Sequence, residues 1–237
     1  MSFKEEKKLE KGKLIVIEGI DSSGKATQAE LLFWTFKEKN KKVMKIEFPD
    51  YESPSSSLIK MYLNGDFGQE PEKINPYAAS IFFAADRFAS YEIKWKEFYN
   101  SGGIIICDRY VSSNMIYQAS KFEDENKREE YFKWIYDLEF NKLNLPKPDI
   151  VIFLSMPIEY CRVLLKGRPS KITGKPGKDI HEANNIYMQK VYKTAAKLSK
   201  KYSWFVLDCV DNDSLKSKET INKEIVTIIE KYFHNKR

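Results

Sequence analysis

Cysteine and histidine are scarce in this sequence, and that scarcity excludes several kinds of site. The 3 cysteines, Cys107, Cys161 and Cys209, lie in or beside apolar runs, so we expect buried free thiols and no disulfide framework. The 2 histidines, His181 and His234, lie far apart in the sequence, and no cysteine pair has the spacing of metal ligands. A structural metal cluster is therefore not expected.

Long apolar runs are also missing. No segment approaches the length that a membrane-spanning helix requires. Residues 1–13 alternate lysine and glutamate without the apolar core of a signal peptide. We therefore expect a cytoplasmic protein without a membrane partner.

The charge balance is mildly basic. The chain has 40 Lys and Arg residues against 34 Asp and Glu residues, a net charge of +6 in 237 residues, and no basic block dominates. A small excess of this kind suits a phosphorylated small molecule and gives little support to a nucleic-acid partner.

Five short apolar runs punctuate the chain and predict strands. Most are rich in Ile and Val without strict alternation, which is typical of strands buried on both faces of a parallel sheet. They are Leu14–Glu18, Val43–Phe48, Gly103–Cys107, Asp149–Ser155 and Trp204–Asp208. Because helical stretches lie between them, we predict an α/β fold, a doubly wound five-stranded parallel sheet flanked by helices.

Two segments depart from simple alternation of strands and helices. Residues 49–102 are too long for one crossover helix and predict a helical insertion over the sheet edge, in which residues 77–99 form one long helix. Residues 167–178 contain glycines, prolines and basic residues but no acidic residue, which predicts a basic lid at about 166–181. We expect a single domain over 1–237, with residues 1–12 as a flexible tail.

A phosphate-binding loop follows the first predicted strand. Residues 19–27 read Gly19-Ile20-Asp21-Ser22-Ser23-Gly24-Lys25-Ala26-Thr27, which matches the G-x-x-x-x-G-K pattern between a strand and a helix. The glycines allow the loop to turn its N–H groups inward, the helix N-terminus adds positive potential, and Lys25 adds a charge for the β- and γ-phosphates of ATP. The loop indicates a P-loop NTPase fold.

The residue after Lys25 departs from the usual pattern. Ala26 stands where a Ser or Thr hydroxyl ordinarily faces Mg²⁺, and Thr27 comes one position later. We therefore expect Mg²⁺ to rely on phosphates, water and carboxylates, with Asp108 as a candidate ligand. Asp108 and Arg109 end the third strand and should face the same cleft as the loop, because ligands bind at the carboxyl ends of parallel strands.

Four motifs follow one another along the chain. They are Glu18-Gly-Ile-Asp21-Ser-Ser-Gly-Lys25-Ala-Thr27-Gln28, Phe48-Pro49-Asp50-Tyr51, Phe83-Ala-Ala-Asp86-Arg87-Phe88 and Asp108-Arg109-Tyr110-Val-Ser-Ser113-Asn114-Met-Ile-Tyr117. Together they resemble the thymidylate kinase family, whose members transfer the γ-phosphoryl group of ATP to dTMP. The resemblance spans residues 13–208 and implies ATP and dTMP as substrates, Mg²⁺ as cofactor and a homodimer.

The resemblance also implies roles for the residues of the dTMP site. Phe83 would stack on the thymine ring, while Arg87 and Asn114 would hydrogen-bond its edges. Ser113 would belong to the same site, and Tyr117 would pack below the sugar and exclude a ribose 2′-hydroxyl.

Other residues of the site would lie beside the phosphates. Asp21 would lie between the monophosphate, the sugar and the metal, Arg109 would bridge the two phosphates being joined, and Tyr51 would border the monophosphate. Some family members carry an arginine where Ser22 stands, and this chain resembles those that place their basic catalytic residue in the lid. Arg168 is the candidate there.

Other kinases remain alternatives. Another nucleoside monophosphate kinase or a deoxynucleoside kinase would use the same loop and lid with a different base pocket. A GTP-binding switch protein is a more distant alternative, because it needs an Asn-Lys-x-Asp guanine reader and the chain offers Asn141-Lys-Leu-Asn144 before the fourth strand.

Overall fold

Five parallel strands form the central sheet of the protein. The structure is a computed structural model that describes residues 11–165 and 179–235. The strands are β1 (Lys13–Glu18), β2 (Val43–Glu47), β3 (Ile104–Asp108), β4 (Ile150–Ser155) and β5 (Phe205–Asp208). Their order across the sheet is β2-β3-β1-β4-β5, and all four pairings are parallel. The prediction of a five-stranded parallel sheet is confirmed, and each predicted run ends within one residue of its strand.

Burial explains why these runs lack strict alternation. Leu14, Ile15, Val16 and Ile17 are all fully buried, so β1 is covered on both faces. Helices lie on either side of the sheet, and consecutive apolar side chains are therefore needed. The central position of β1, between β3 and β4, places the loop that follows it in the middle of the sheet's carboxyl edge.

Helices connect the strands throughout the described residues. They are α1 (Lys25–Glu38), α2 (Ser57–Asn64), α3 (Pro76–Ser90), α4 (Lys96–Asn100), α5 (Val111–Tyr117), α6 (Glu125–Tyr136), α7 (Ile158–Leu165), α8 (Ile180–Ala183), α9 (Asn185–Lys201) and α10 (Lys218–His234). Helix α1 packs against α10, and α5 packs against α9.

The long helix predicted at 77–99 is present but is not uniform. Helix α3 continues into a π-helical turn, Tyr91–Trp95, and then into α4. A second π-helical turn, Asp137–Lys142, extends α6. Both turns insert an extra residue that rotates the following side chains, and such turns are frequent at functional sites.

The segment between β2 and β3 is helical, as predicted, and has a small core of its own. Ile59, Tyr62 and Leu63 of α2 pack with Ala79 of α3 and with Ile180 of α8. Because Ile180 lies near the end of the predicted lid, this cluster attaches that end of the lid to the helical insertion.

Gly12, which was predicted to belong to a flexible tail, is among the described residues. Residues 1–10 lie outside the described part of the chain, but Gly12 is buried and its N–H donates to the Tyr99 carbonyl at 2.8 Å. A Cβ at position 12 would lie 2.1 Å from the Gly103 carbonyl oxygen. Glycine is therefore required where the chain enters β1, and Gly12 belongs to the folded domain.

A short hairpin near the C-terminus was not predicted. Strands β6 (Val210–Asp211) and β7 (Ser214–Leu215) pair antiparallel across Asn212 and Asp213, which have φ of 46° and 57°. Two consecutive positive φ values suit the tight hairpin turn that Asn and Asp tolerate. The strands are too short to produce a recognisable period in the sequence.

The cysteines and the lengths of the helices can also be compared with the sequence. Cys107, Cys161 and Cys209 are buried and free, as predicted. Among the described residues, no helix is both long and apolar enough to cross a membrane.

Candidate active site

The phosphate-binding loop joins β1 to α1 in a conformation that requires its glycines. Gly24 has φ of 90° and precedes the first residue of α1, where no side chain caps the helix. A Cβ on Gly19 would lie 2.4 Å from the Ser23 hydroxyl oxygen. The first N–H groups of α1 are therefore available to an anion, which is the arrangement that the sequence pattern predicts.

Lys25 is buried at the centre of this loop. Its Nζ donates to the Ile20 carbonyl oxygen at 2.6 Å, and its side chain lines the cavity above the loop. Burial and the nearby Arg109 guanidinium lower the pKa of Lys25 to about 8, while Asp21 and Asp108 oppose the shift. A phosphate beside the ammonium would add negative charge and favour its protonated form.

Asp21 and Arg109 form an ion pair where β1 and β3 end. Arg109 Nη2 donates to Asp21 Oδ1, and the Tyr117 hydroxyl donates to Asp21 Oδ2 at 2.8 Å. Burial would raise the pKa of Asp21, but Arg109, Lys25 and the Tyr117 hydrogen bond outweigh it and hold the pKa at about 2. Asp21 is therefore a carboxylate at neutral pH.

Arg109 is held in an uncommon backbone conformation. Its φ is 66°, and its N–H donates to the Ile17 carbonyl at 3.1 Å. A left-handed conformation is unfavourable for a long side chain and is often found at functional sites. Here it turns the chain at the end of β3 so that the guanidinium reaches across to Asp21.

Glu18 links the phosphate-binding loop to helix α5 through hydrogen bonds. It is fully buried, accepts the Gly19 N–H at 2.9 Å, and accepts hydrogen bonds from the Ser112 and Ser113 hydroxyls at 2.6 and 3.0 Å. Its Oε1 lies 4.0 Å from Arg109 Nη1. The sequence motif contains Glu18, but nothing in the motif revealed that this carboxylate connects the two halves of the site.

Two cavities open side by side around this ion pair. The nucleotide cavity, of about 70 Å³, is lined by Asp21, Phe48, Pro49, Tyr51, Leu63, Phe83, Arg87, Arg109, Tyr110, Ser113, Asn114, Tyr117, Gln118, Asp179 and His181. The P-loop cavity, of about 370 Å³, is lined by Asp21, Ser22, Gly24, Lys25, Ala26, Thr27, Phe48, Pro49, Tyr51, Asp108, Arg109, Leu164, Asp179 and Glu182. Asp21 and Arg109 line both cavities, so two bound phosphates would meet beside them.

The structure brings together all eight residues predicted for the dTMP site. They are Asp21, Tyr51, Phe83, Arg87, Arg109, Ser113, Asn114 and Tyr117. Most of the predicted ATP-binding loop lines the P-loop cavity, while Gly19, Ile20 and Ser23 lie outside its lining. Arg168 and the predicted lid residues 166–178 lie outside the described residues.

Comparisons with known proteins agree with this geometry. The family model described as thymidylate kinase matches residues 17–225. This chain belongs to the thymidylate kinase family. Thymidylate kinase from Mycobacterium tuberculosis is 30% identical over 187 residues, which cover 78% of this chain and 85% of that protein. The Schizosaccharomyces pombe thymidylate kinase is 29% identical over 223 residues, 94% of this chain and 93% of that protein.

A solved structure supports the family assignment. Thymidylate kinase from Candida albicans superposes with a TM-score of 0.69 and 26% identity, covering 93% of this chain and 92% of that one. The resemblance inferred from the four motifs is therefore confirmed, and so is the P-loop kinase fold.

In this member of the thymidylate kinase family, Asp108 is better placed than Asp21 for a metal ion. Asp108 lines the P-loop cavity, and its buried Oδ1 has no hydrogen-bond partner among the described residues. Both oxygens of Asp21 are engaged by Arg109 and Tyr117. The described residues contain no group of three or more His, Cys, Asp or Glu side chains that could hold a metal alone. This fits Mg²⁺, which is commonly bound by one or two carboxylates together with phosphates and water.

Gln118 lines the nucleotide cavity and was not predicted as a site residue. It is 1% exposed, and its amide lies beside the Tyr62 hydroxyl. Because this buried amide lines the cavity and can make more than one hydrogen bond, Gln118 is a candidate for a polar contact with the nucleotide. Its position after Tyr117 gave no signal, because glutamine is also common on helix surfaces.

His181 is a second residue that lines the nucleotide cavity and was not predicted as a site residue. Its Nε2 lies 2.7 Å from the Tyr62 hydroxyl, and its ring stacks on Tyr117 with centroids 5.4 Å apart. Burial and the neighbouring Lys121 lower the pKa of His181 to about 3, so the ring is neutral at physiological pH. His181 thus packs against the ring of Tyr117, whose hydroxyl binds Asp21.

The end of the predicted lid is helical. Asp179 caps helix α8, with its Oδ1 accepting the N–H groups of His181 and Glu182 at 2.9 Å each. Burial and the Asp21 carboxylate raise the pKa of Asp179 to about 7. The predicted end of the lid, residue 181, therefore lies within α8. This helix was not predicted, because its four residues are too few to show a recognisable apolar pattern.

Lys121 gives a testable dependence of stability on pH. Its Nζ donates to the Tyr62 hydroxyl at 3.1 Å and to the Ile74 carbonyl at 3.0 Å. Burial lowers its pKa from 10.5 to about 7. The folded state therefore binds fewer protons at Lys121 than the unfolded state between these pH values, and the resulting cost to stability increases as the pH falls toward about 7.

We expect Lys121→Met to raise the urea midpoint of unfolding at about pH 7 and to raise it less at about pH 9.5. Tyr62 would keep His181 as a partner. Exposed Lys37 offers a matched control, since Lys37→Met should leave the midpoint nearly unchanged. A lower midpoint for Lys121→Met at both pH values would show that its hydrogen bonds outweigh the burial cost.

Proposed function

We propose that this member of the thymidylate kinase family transfers the γ-phosphoryl group of ATP to dTMP, giving dTDP and ADP. The observation that carries the proposal is the pair of adjoining cavities that share Asp21 and Arg109. One cavity has a phosphate-binding loop, and the other has an aromatic ring and hydrogen-bonding groups suited to a base. Their junction is where the two phosphates would meet.

ATP would place its phosphates on the loop. The N–H groups at the start of α1 and the Lys25 ammonium would hold the β- and γ-phosphates. Asp108 would hold a bound Mg²⁺, which would supply charge neutralisation at the phosphates. Sequence reasoning also assigns Arg168 a catalytic role in the lid, and that assignment stays a prediction.

The nucleotide cavity would take dTMP with its base at the inner end. Phe83, which is half-buried and set edge-on to Tyr62, would stack on the thymine ring. Arg87 and Asn114 would hydrogen-bond the base, and Gln118 would add a further polar contact. Tyr117, held by Asp21 and stacked on His181, would lie against the sugar.

The chemistry needs alignment and charge more than proton transfer. A dTMP phosphate oxygen is already an anion, so no strong general base is required. Arg109 would reach both phosphates, and Lys25 would spread the negative charge of the transferring group. Asp21 would keep Arg109 oriented through their ion pair.

A substrate screen tests the proposal. Purified protein with ATP and magnesium should form ADP with dTMP faster than with dCMP, UMP or thymidine in a coupled assay. A preference for another nucleoside monophosphate would support the alternative kinase reading and overturn dTMP as the substrate. A cytoplasmic location stays a prediction from the sequence.

We expect Lys25→Ala to lower turnover by about a hundred- to a thousandfold, because it removes a buried charge that acts on the transferring phosphate. Lys37→Ala on the exposed face of the same helix is the control and should retain wild-type turnover. Circular dichroism would verify the fold of both variants. Near-normal activity of Lys25→Ala would contradict the P-loop assignment.

Tyr117 should set the preference for deoxyribose. A buried ribose 2′-hydroxyl without a partner costs about 1–3 kcal/mol, which is about ten- to hundredfold in catalytic efficiency. We expect Tyr117→Ala to narrow the preference for dTMP over its ribose counterpart, and Tyr117→Phe to retain it because the ring remains. Comparing kcat/KM for both substrates in the three proteins is the measurement. Equal use of both substrates by the wild type would contradict this role.

The homodimer would form through helix α3. Its exposed face carries Ile81, Ala85 and Phe88, and the following π-helical turn adds Ile93, which is 80% exposed. The first three are spaced as neighbours on one helix face, so they form a stripe of the kind that a partner covers.

We expect Ile93→Lys to shift the protein from dimer toward monomer in sedimentation experiments. Ile186→Lys is a matched control, because Ile186 is 69% exposed but lies on α9, away from this stripe. A monomeric wild type, or a dimer that survives Ile93→Lys and not Ile186→Lys, would contradict this interface.

A further inference from the structure

A buried carboxylate stands behind the two residues that would read the base. Glu139 lies in the π-helical turn after α6 and is fully buried. Its Oε2 accepts from Arg87 Nε at 2.6 Å, and its Oε1 accepts from Arg87 Nη2 at 2.5 Å. The Arg87 side chain is 2% exposed, so the pair is a two-point contact shielded from solvent.

This contact fixes the direction of the arginine. Glu139 engages two of the three guanidinium nitrogens, and Arg87 Nη1 has no hydrogen-bond partner among the described residues. Arg87 also lines the nucleotide cavity. A planar guanidinium held by one edge cannot rotate, and it carries donors only. The cavity therefore faces a donor in a fixed position.

The same carboxylate contributes to the orientation of Asn114. The side-chain Nδ2 donates to the Ser80 carbonyl at 3.2 Å and lies 3.5 Å from Glu139 Oε1. Two acceptors on that side keep the NH₂ group turned toward them. Asn114 Oδ1 accepts no hydrogen bond from the described residues, and the residue lines the nucleotide cavity. Asn114 thus offers an acceptor to the cavity.

We propose that Glu139 is a positioning residue that makes Arg87 a fixed hydrogen-bond donor and Asn114 a fixed acceptor toward the base. Through these two residues, Glu139 sets the choice of thymine over cytosine. The inference rests on the proposed function. Thymine presents a carbonyl at C4 and an N–H at N3, which match a donor and an acceptor. Cytosine presents an amino group and an unprotonated nitrogen at those positions, so both contacts would be mismatched.

Replacing Glu139 with a neutral side chain should allow Arg87 and Asn114 to reorient. In Glu139→Gln an NH₂ group replaces one oxygen, so the side chain can no longer accept at both points from Arg87 while also facing Asn114. Arg87 could then swing, and the Asn114 amide could turn over. We expect the KM for dTMP to rise about tenfold or more with a smaller change in kcat, because base contacts act mainly on binding.

The decisive readout is the ratio of kcat/KM for dTMP to that for dCMP. We expect Glu139→Gln to lower this ratio about tenfold or more. Ile135→Val is the control, because it loosens the fully buried core of α6 one turn earlier without touching either reader. It should lower the thermal midpoint while leaving the ratio unchanged.

A second variant keeps the inference testable if the first variant does not fold. If circular dichroism shows that Glu139→Gln does not fold, Glu139→Asp keeps the charge but is one methylene too short to hold both contacts. Its ratio should also fall, and an unchanged ratio in a folded variant overturns the inference. A wild type that ignores dTMP would overturn the proposed function itself, whereas a wild type that uses dTMP with unchanged ratios in the variants overturns this inference alone.

Discussion

The ion pair between Asp21 and Arg109 depends on the pairing of β1 with β3, and the two parts of the site depend on it in turn. In register, Ile17 of β1 pairs with Asp108 of β3, so the residues just beyond each strand end must meet. Asp21 arrives from the phosphate-binding loop, and Arg109 arrives through its left-handed backbone. Glu18 then ties the same loop to the serines that open α5. The phosphate end of both cavities is therefore built by one pair of neighbouring strands.

Burying this much charge is costly unless each group has a partner. Removing one member of a buried ion pair commonly destabilises a protein by about 3–5 kcal/mol, because the remaining charge is left without compensation. Glu139 meets that need for Arg87, and Asp21 meets it for Arg109. Lys25 has a carbonyl as its direct partner, and its lowered pKa reflects the incomplete compensation. A polyphosphate would complete it, so this incompletely compensated charge lies where the substrate's charge would be.

The sequence predicted those features that depend on short-range patterns. The strands followed from apolar runs, the loop from glycine spacing, and the residues that line the nucleotide cavity from the resemblance of the four motifs to a known family. The positions of Glu139 and His181 in the site did not follow, since they arise from contacts between distant segments. Glu139 lies 52 positions from Arg87, and His181 lies 119 positions from Tyr62. Neither has a flanking motif, and the π-helical turn that aims Glu139 has no simple sequence signal.

Helix α5 shows how phosphate and base recognition are joined mechanically. At its start Ser112 and Ser113 bind Glu18 beside the loop, and at its end the Tyr117 carbonyl accepts from the Tyr187 hydroxyl at 2.6 Å. Between them Asn114 lines the nucleotide cavity. A helix this short and anchored at both ends behaves as one rigid body, so a displacement at the phosphate end moves the base reader as well. Under the proposed function, correct seating of the base and correct alignment of the phosphates would be a single structural condition, and the energy of base recognition would contribute to phosphoryl transfer.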